Sequence, residues 1–155
     1  MKGNQTYKEM YFRVRKYGES DCCTVIALCA VTGLSFKRSL HKLKKLGRQD
    51  RKGTWMHYEA IRREGYDLIR TPRGEGLTLS KFAEIYNQGR YIVYTRAHAI
   101  GIVDGWISDH CNAEILGHKS RRIVVYAHKV VAGNNTPEMK TRSQVQKFIH
   151  FGDIT

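Results

Sequence analysis

The sequence of 155 residues predicts an α+β fold, with N-terminal helices packed on a C-terminal antiparallel β-sheet. Three observations carry this. Capped helical segments follow one another between residues 22 and 89. Runs of β-branched and aromatic residues dominate from residue 90 onward. Asp104-Gly105, flanked by apolar runs, is a strong hairpin signal. Helices grouped ahead of strands read as α+β, because a parallel α/β sheet would alternate them.

Taken in order, residues 1–10 are polar and expected to be loosely held, and 11–16 (YFRVRK) alternate apolar with basic, as a short edge strand does. Gly18-Glu19-Ser20-Asp21 reads as a turn into a helix from about Cys22 to Thr32, stopped by Gly33. Val25 to Val31 are apolar almost all round, so this helix belongs at the centre of the domain. Ser35 opens a second helix, FKRSLHKLKKL, closed by Gly47, with Leu40, Leu43 and Leu46 as its apolar stripe. Thr54 caps a third, WMHYEAIRRE, ended by Gly65, and Thr78 a fourth, LSKFAEIYN, ended near Gly89. Strands are expected at Arg90–Thr95, Ala99–Val103 and Arg122–Tyr126. A two-residue Asp104-Gly105 turn sets Val103 opposite Trp106, hence Ile100 opposite Asp109 and His98 opposite Cys111. The tail after Gly133 is polar, and its VQKFIHFG segment suits one more strand or short helix. No repeat or linker divides the chain, so a single domain over 1–155 is expected.

Charge and cysteine usage bound the function. Lys and Arg number 27 against 14 Asp and Glu, a formal net charge of +13. Such a surface attracts polyanions: nucleic acid, an acidic protein or an anionic membrane face. No segment approaches the ~20 apolar residues of a membrane span, and the first residues lack the apolar run of a secretory leader. Cys22, Cys23, Cys29 and Cys111 are badly placed for a disulfide framework, since adjacent cysteines rarely meet its geometry. Free thiols in a cytoplasmic setting are expected.

A reactive cysteine is the chemistry these residues suggest. Cys22 and Cys23 fall in the first turn of the apolar helix. There the unpaired amides and the helix dipole favour a thiolate and can hold an oxyanion. Cys29, deeper in that helix, reads as a small buried apolar side chain. A thiolate needs a histidine. Among His41, His57, His98, His110, His118, His128 and His150, His98 stands at the head of a core strand entering the hairpin. Asp109 lies diagonally across that hairpin, placed to orient the ring. Asp104 reads as a turn residue. His41 and His57 on basic helices read as surface or packing residues. His110 and Cys111 lack metal-ligand spacing with the other candidates, so no metal and no cofactor are expected.

The order of helix-start Cys, strand-start His and acidic residue on the next strand resembles the papain-like cysteine peptidases. ESDCCTVIALCAVTGLSF, GRQDRKGT and HAIGIVDGWISD together resemble small phage-encoded papain-like proteins, over roughly residues 19–109. Their pattern reads E-x-N-D-C-x-x-x-A-L, T-G-x-x-Y, G-R-x-x-x-K-G-T and H-A-x-x-V-x-D-G-x-x-x-D. A gapless match through Ala27-Leu28 and Thr32-Gly33 places the family cysteine on Cys23. Matching the Asp-Cys pair instead selects Cys22. The His matches His98 and the last acid Asp109. The resemblance implies a peptidase or isopeptidase, with acyl transfer open to the same residues, acting on a host or viral protein in the host cytoplasm. Family enzymes carry a Gln six residues before the nucleophile; Tyr17 stands there for Cys23, and Lys16 for Cys22. Two other readings follow from the same letters. One is a catalytically inactive papain-like module that grips an acidic partner through Arg38, Lys42, Lys44, Lys45, Arg48, Arg51 and Lys52. The other is a basic nucleic-acid-binding protein.

Overall fold

The computed structural model describes residues 23–49, 56–96, 98–108, 122–133 and 143–145. Helix α1 (Cys23–Thr32) is followed by α2 (Phe36–Lys45) and α3 (Met56–Arg63). Strand β1 (Tyr66–Arg70), a 3-10 turn (Pro72–Gly74) and α4 (Leu79–Ile85) lead into β2 (Arg90–Thr95), β3 (His98–Val103), β4 (Trp106–Ile107) and β5 (Val124–Ala132). The strands form one antiparallel sheet in the order β1-β5-β2-β3-β4. The α+β reading holds. Among the described residues no single helix is long and apolar enough to cross a membrane.

Local chemistry sets the helix ends. Ser35 accepts from the Arg38 amide at 3.2 Å and Thr78 from the Lys81 amide at 3.2 Å, each satisfying one orphan donor of a first turn. Gly33 ends α1 with φ 72°, and its amide donates to Cys29 O at 2.8 Å, in the left-handed geometry that favours glycine. Residues 24–32 of α1 are all buried, as its apolar circumference requires.

Both faces of the sheet are covered. Ile92, Ala99, Val103 and Val130 pack with α1, α2 and α3, while Tyr91, Val93, Ile100, Ile102 and Ala127 pack with Leu79 and Phe82 of α4. This double coverage explains why RYIVYT is apolar at nearly every position instead of alternating. Burying one such aliphatic side chain stabilises the fold by about 1.5–3 kcal/mol.

Several expectations are adjusted. Strand β1, YDLIR, was not foreseen. β3 begins at His98, one residue before the expected Ala99. The expected Arg122–Tyr126 strand is Val124–Ala132, with Ile123 forming an isolated bridge to Thr78. β5 runs longer because β1 and β2 flank it on both sides, and its register against β2 shifts between Tyr94 and Thr95. Asp104 (φ 47°) and Gly105 (φ 78°) are both left-handed, which makes the hairpin a type I′ turn. Val103 pairs with Trp106 as expected. Residues 143–145 are helical, and Val145 is buried in the α1 core. The expected N-terminal strand, Thr54 and the VQKFIHFG tail beyond 145 lie outside the described residues.

Candidate active site

The direction of α1 over the sheet locates the candidate site. A Cβ placed on Gly101 would lie 2.7 Å from Ala30 Cβ and 3.0 Å from Ala27 O, so α1 rests directly on β3 at the one residue without a side chain. At the other end, Arg90 Nη1 donates to the carbonyls of Ala30 and Val31, both at 3.3 Å, and Tyr66 Oη donates to Thr32 O at 3.3 Å. Arg90 pairs with Val103, the last residue of β3. The C-terminal end of α1 therefore sits over the end of β3, and its N-terminal end points to the rim where β3 starts. Cys23 lies about 6 Å before Ala27 at ~1.5 Å per helical residue. His98 lies about 10 Å before Gly101 at ~3.3 Å per strand residue. Measured from the Gly101 contact, both residues lie toward the starts of their elements, about 6 Å back along α1 and about 10 Å back along β3.

Cys23 opens the described part of α1 and is half-buried; its Sγ lies 3.9 Å from Thr24 Oγ1. A thiol there is exposed enough to react and lies at the end of the helix that stabilises an anion. Cys29 is the inert one: it is buried, and its thiol donates to Ser39 Oγ at 3.4 Å. Cys22 and Cys111 lie outside the described residues.

His98 is half-buried at the first position of β3, opposite Thr95. Strand alternation groups it with Ile100 and Ile102, on the face turned away from α1, whereas Ala99, Gly101 and Val103 face the helix. A meeting of the two side chains is therefore a contact around the rim, not one within the helix–sheet interface. Among the described residues the buried His98 Nδ1 has no hydrogen-bond partner. Ser108 fixes the partner segment: its amide and its hydroxyl both donate to Gly101 O, at 3.0 and 2.7 Å. Asp109, the next residue, lies outside the described residues. Asp104 has the expected turn role, its Oδ1 accepting from the Gly89 amide at 2.8 Å.

An aromatic cluster that no sequence pattern foretells lies on the α1 face beside this rim. Tyr94 pairs with Ala99 on one side and with Tyr126 on the other. The Tyr58 ring, from α3, lies 5.0 Å from His128 and 4.2 Å from His57. Arg70 holds Glu75 through two hydrogen bonds, at 2.9 and 3.0 Å, and lies 5.7 Å from the Tyr126 ring. Burial, followed by the neighbouring Tyr94 and Tyr126 phenols, pushes Tyr58 up to about 12. Burial, followed by the Arg70 cation, pushes His128 below its ordinary range. The Arg70 hydrogen bonds hold Glu75 below the usual carboxylate range. The only advance signal was the chain's nine tyrosines, which carry no period.

His41 is exposed on α2 and His57 is fully buried on α3, a surface and a packing position as expected, while His110, His118 and His150 lie outside the described residues. Among the described residues no three of His, Cys, Asp and Glu converge on a point where a metal would sit. Comparison with family models, with curated proteins and with solved structures finds no match to this chain.

Proposed function

We propose that the chain is a papain-like cysteine hydrolase, a peptidase or isopeptidase, with Cys23 as nucleophile, His98 as base and then acid, and Asp109 as the residue that orients His98. The observation that supports it most is the shared rim. The start of a buried helix and the start of a core strand, held in register by Gly101 and Arg90, bring a half-buried thiol and an imidazole with an unpartnered buried nitrogen to one end of the sheet. His98 takes the Cys23 proton, and the thiolate attacks the carbonyl carbon. The C=O electrons move to oxygen, which the backbone amides at the helix start stabilise. Collapse breaks the C–N bond as His98 returns its proton to the leaving amine. Water then attacks the thioester with His98 again as base, releasing the acid and restoring the thiol. An acceptor amine in place of water gives acyl transfer. Tyr94 and Tyr126 supply an aromatic floor beside the rim for a substrate side chain.

A peptide aldehyde or vinyl sulfone tests the reading: it labels the wild type and not Cys23→Ala, while Cys22→Ala labels normally. Retained labelling in Cys23→Ala together with loss in Cys22→Ala moves the nucleophile to Cys22. A second reading, a catalytically inert module of the same kind, is favoured by Tyr17 in place of the family's Gln. It predicts no labelling of any cysteine at stoichiometric reagent.

A further inference from the structure

We propose that the outer face of α2 docks on the phosphate backbone of nucleic acid, independently of the Cys23 rim. Lys37, Arg38, His41, Lys42, Lys44 and Lys45, with the buried Leu40 beneath them, line one shallow basin on this helix, and all six but Lys42 are exposed. At 3.6 residues per turn they cover about 160° of the helix surface over about 12 Å of its length. The other side of α2 buries Phe36, Ser39, Leu40 and Leu43, so packing fixes the charged stripe outward. The helix carries no acidic residue, and Lys42 pairs with Glu64 of the neighbouring segment.

The composition of this face selects phosphate over an acidic protein. Protein interfaces are built on buried aromatic and aliphatic side chains and are depleted in lysine. Among the described residues the exposed large apolar ones are Ile69, Ile85, Ile123, Val125 and Tyr126, none of them on α2, whereas four of the six stripe residues are lysines. Flexible point charges spread along a rod, whose one apolar lining residue, Leu40, is buried, suit a regular array of phosphates read without sequence preference. The chain's net charge of +13 adds long-range attraction to the same partner.

Fluorescence anisotropy with a labelled 20-base-pair duplex tests this. Neutralising about four phosphates gives a slope of log affinity against log salt near −3.6, roughly a 100-fold loss between 50 and 200 mM. Lys37→Glu/Lys45→Glu makes the slope shallower by about 2, while Arg73→Glu/Lys81→Glu, the same charge change elsewhere on the surface, leaves it nearly unchanged. Cys23→Ala binds as wild type, which separates this surface from the hydrolase reading. The neutral pair Lys37→Gln/Lys45→Gln gives an intermediate slope and stands in should the reversed pair fail to fold by circular dichroism. Equal effects of the two charge-reversed pairs, or a polyglutamate peptide of matched charge binding as tightly as the duplex, overturns the proposal.

Discussion

Arg90 Nη1 donates to the carbonyl of Ala30 at 3.3 Å, so the first residue of β2 holds the last turn of α1. The guanidinium is buried, and it meets orphan carbonyls at the negative end of the helix dipole, where a cation is favoured. Because α1 is clamped at this end, the position of Cys23 at the other end follows from helix length alone. Arg90→Met leaves those carbonyls unsatisfied and is expected to cost about 2–3 kcal/mol, read from urea denaturation midpoints. It also slows the electrophile labelling of Cys23. Unchanged stability would show that Arg90 is not a clamp.

Gly101 is the close-approach point of the helix on the sheet. Gly101→Ala puts a methyl 2.7 Å from Ala30 Cβ and 3.0 Å from a backbone oxygen, so the helix must lift. The expected penalty is about 1–3 kcal/mol with a matching drop in Tm. Gly76→Ala is the contrasting variant: its space is open, but its φ of 89° makes the cost one of backbone strain only. Labelling of Cys23 should fall in the first variant and hold in the second.

Tyr58 gives an alkaline signature. Its folded value of about 12 lies above the ordinary 10.0, mainly because of burial. Between those two values the unfolded chain has released a proton that the folded chain retains. Stability supplied by the neutral phenol is therefore full below pH 10 and declines as pH rises through the folded value. Tyr58→Phe should flatten the fall in Tm between pH 10 and 12, and should remove one of the late-ionising tyrosines, which also include Tyr66 and Tyr91, from the ultraviolet titration.

His128 gives the acidic counterpart. Burial and Arg70 lower its folded value, so below the ordinary histidine range the unfolded chain binds a proton that the folded chain resists. Stability from the neutral ring is full above about pH 6.5 and is lost as pH falls through the lowered value. His128→Phe should show a shallower decline in Tm between pH 7 and 5 than the wild type. An identical decline would place the acid sensitivity elsewhere.

The parts of the fold legible in the sequence were those fixed by local chemistry. Ser35, Thr78, Gly33 and Gly47 mark helix ends through hydrogen bonds and dihedrals that involve only near neighbours, and Asp104-Gly105 fixes its own turn. Strand β1 was missed because Leu68 and Ile69 are adjacent rather than alternating, and Ile69 is exposed. Pairing with β5, some sixty residues away, makes it a strand. The full length of β5 was hidden for the same reason, since His128 and Lys129 look like a strand end until two flanking strands are in place. At the candidate site, Cys23 and His98 were legible as types at element starts. That His98 sits on the face of β3 turned away from α1, and that Tyr58, Tyr94 and His128 cluster, depend on how three distant segments pack.

Activation of Cys23 by His98 is read from the rate of Cys23 alkylation by iodoacetamide against pH, followed by peptide mass mapping in the wild type and His98→Ala. The wild-type thiol is expected to react as a thiolate well below the free-cysteine midpoint of about 8.5, and removing the imidazole to return it to that midpoint. Superimposable profiles for the two proteins, both centred near the free value, would contradict it.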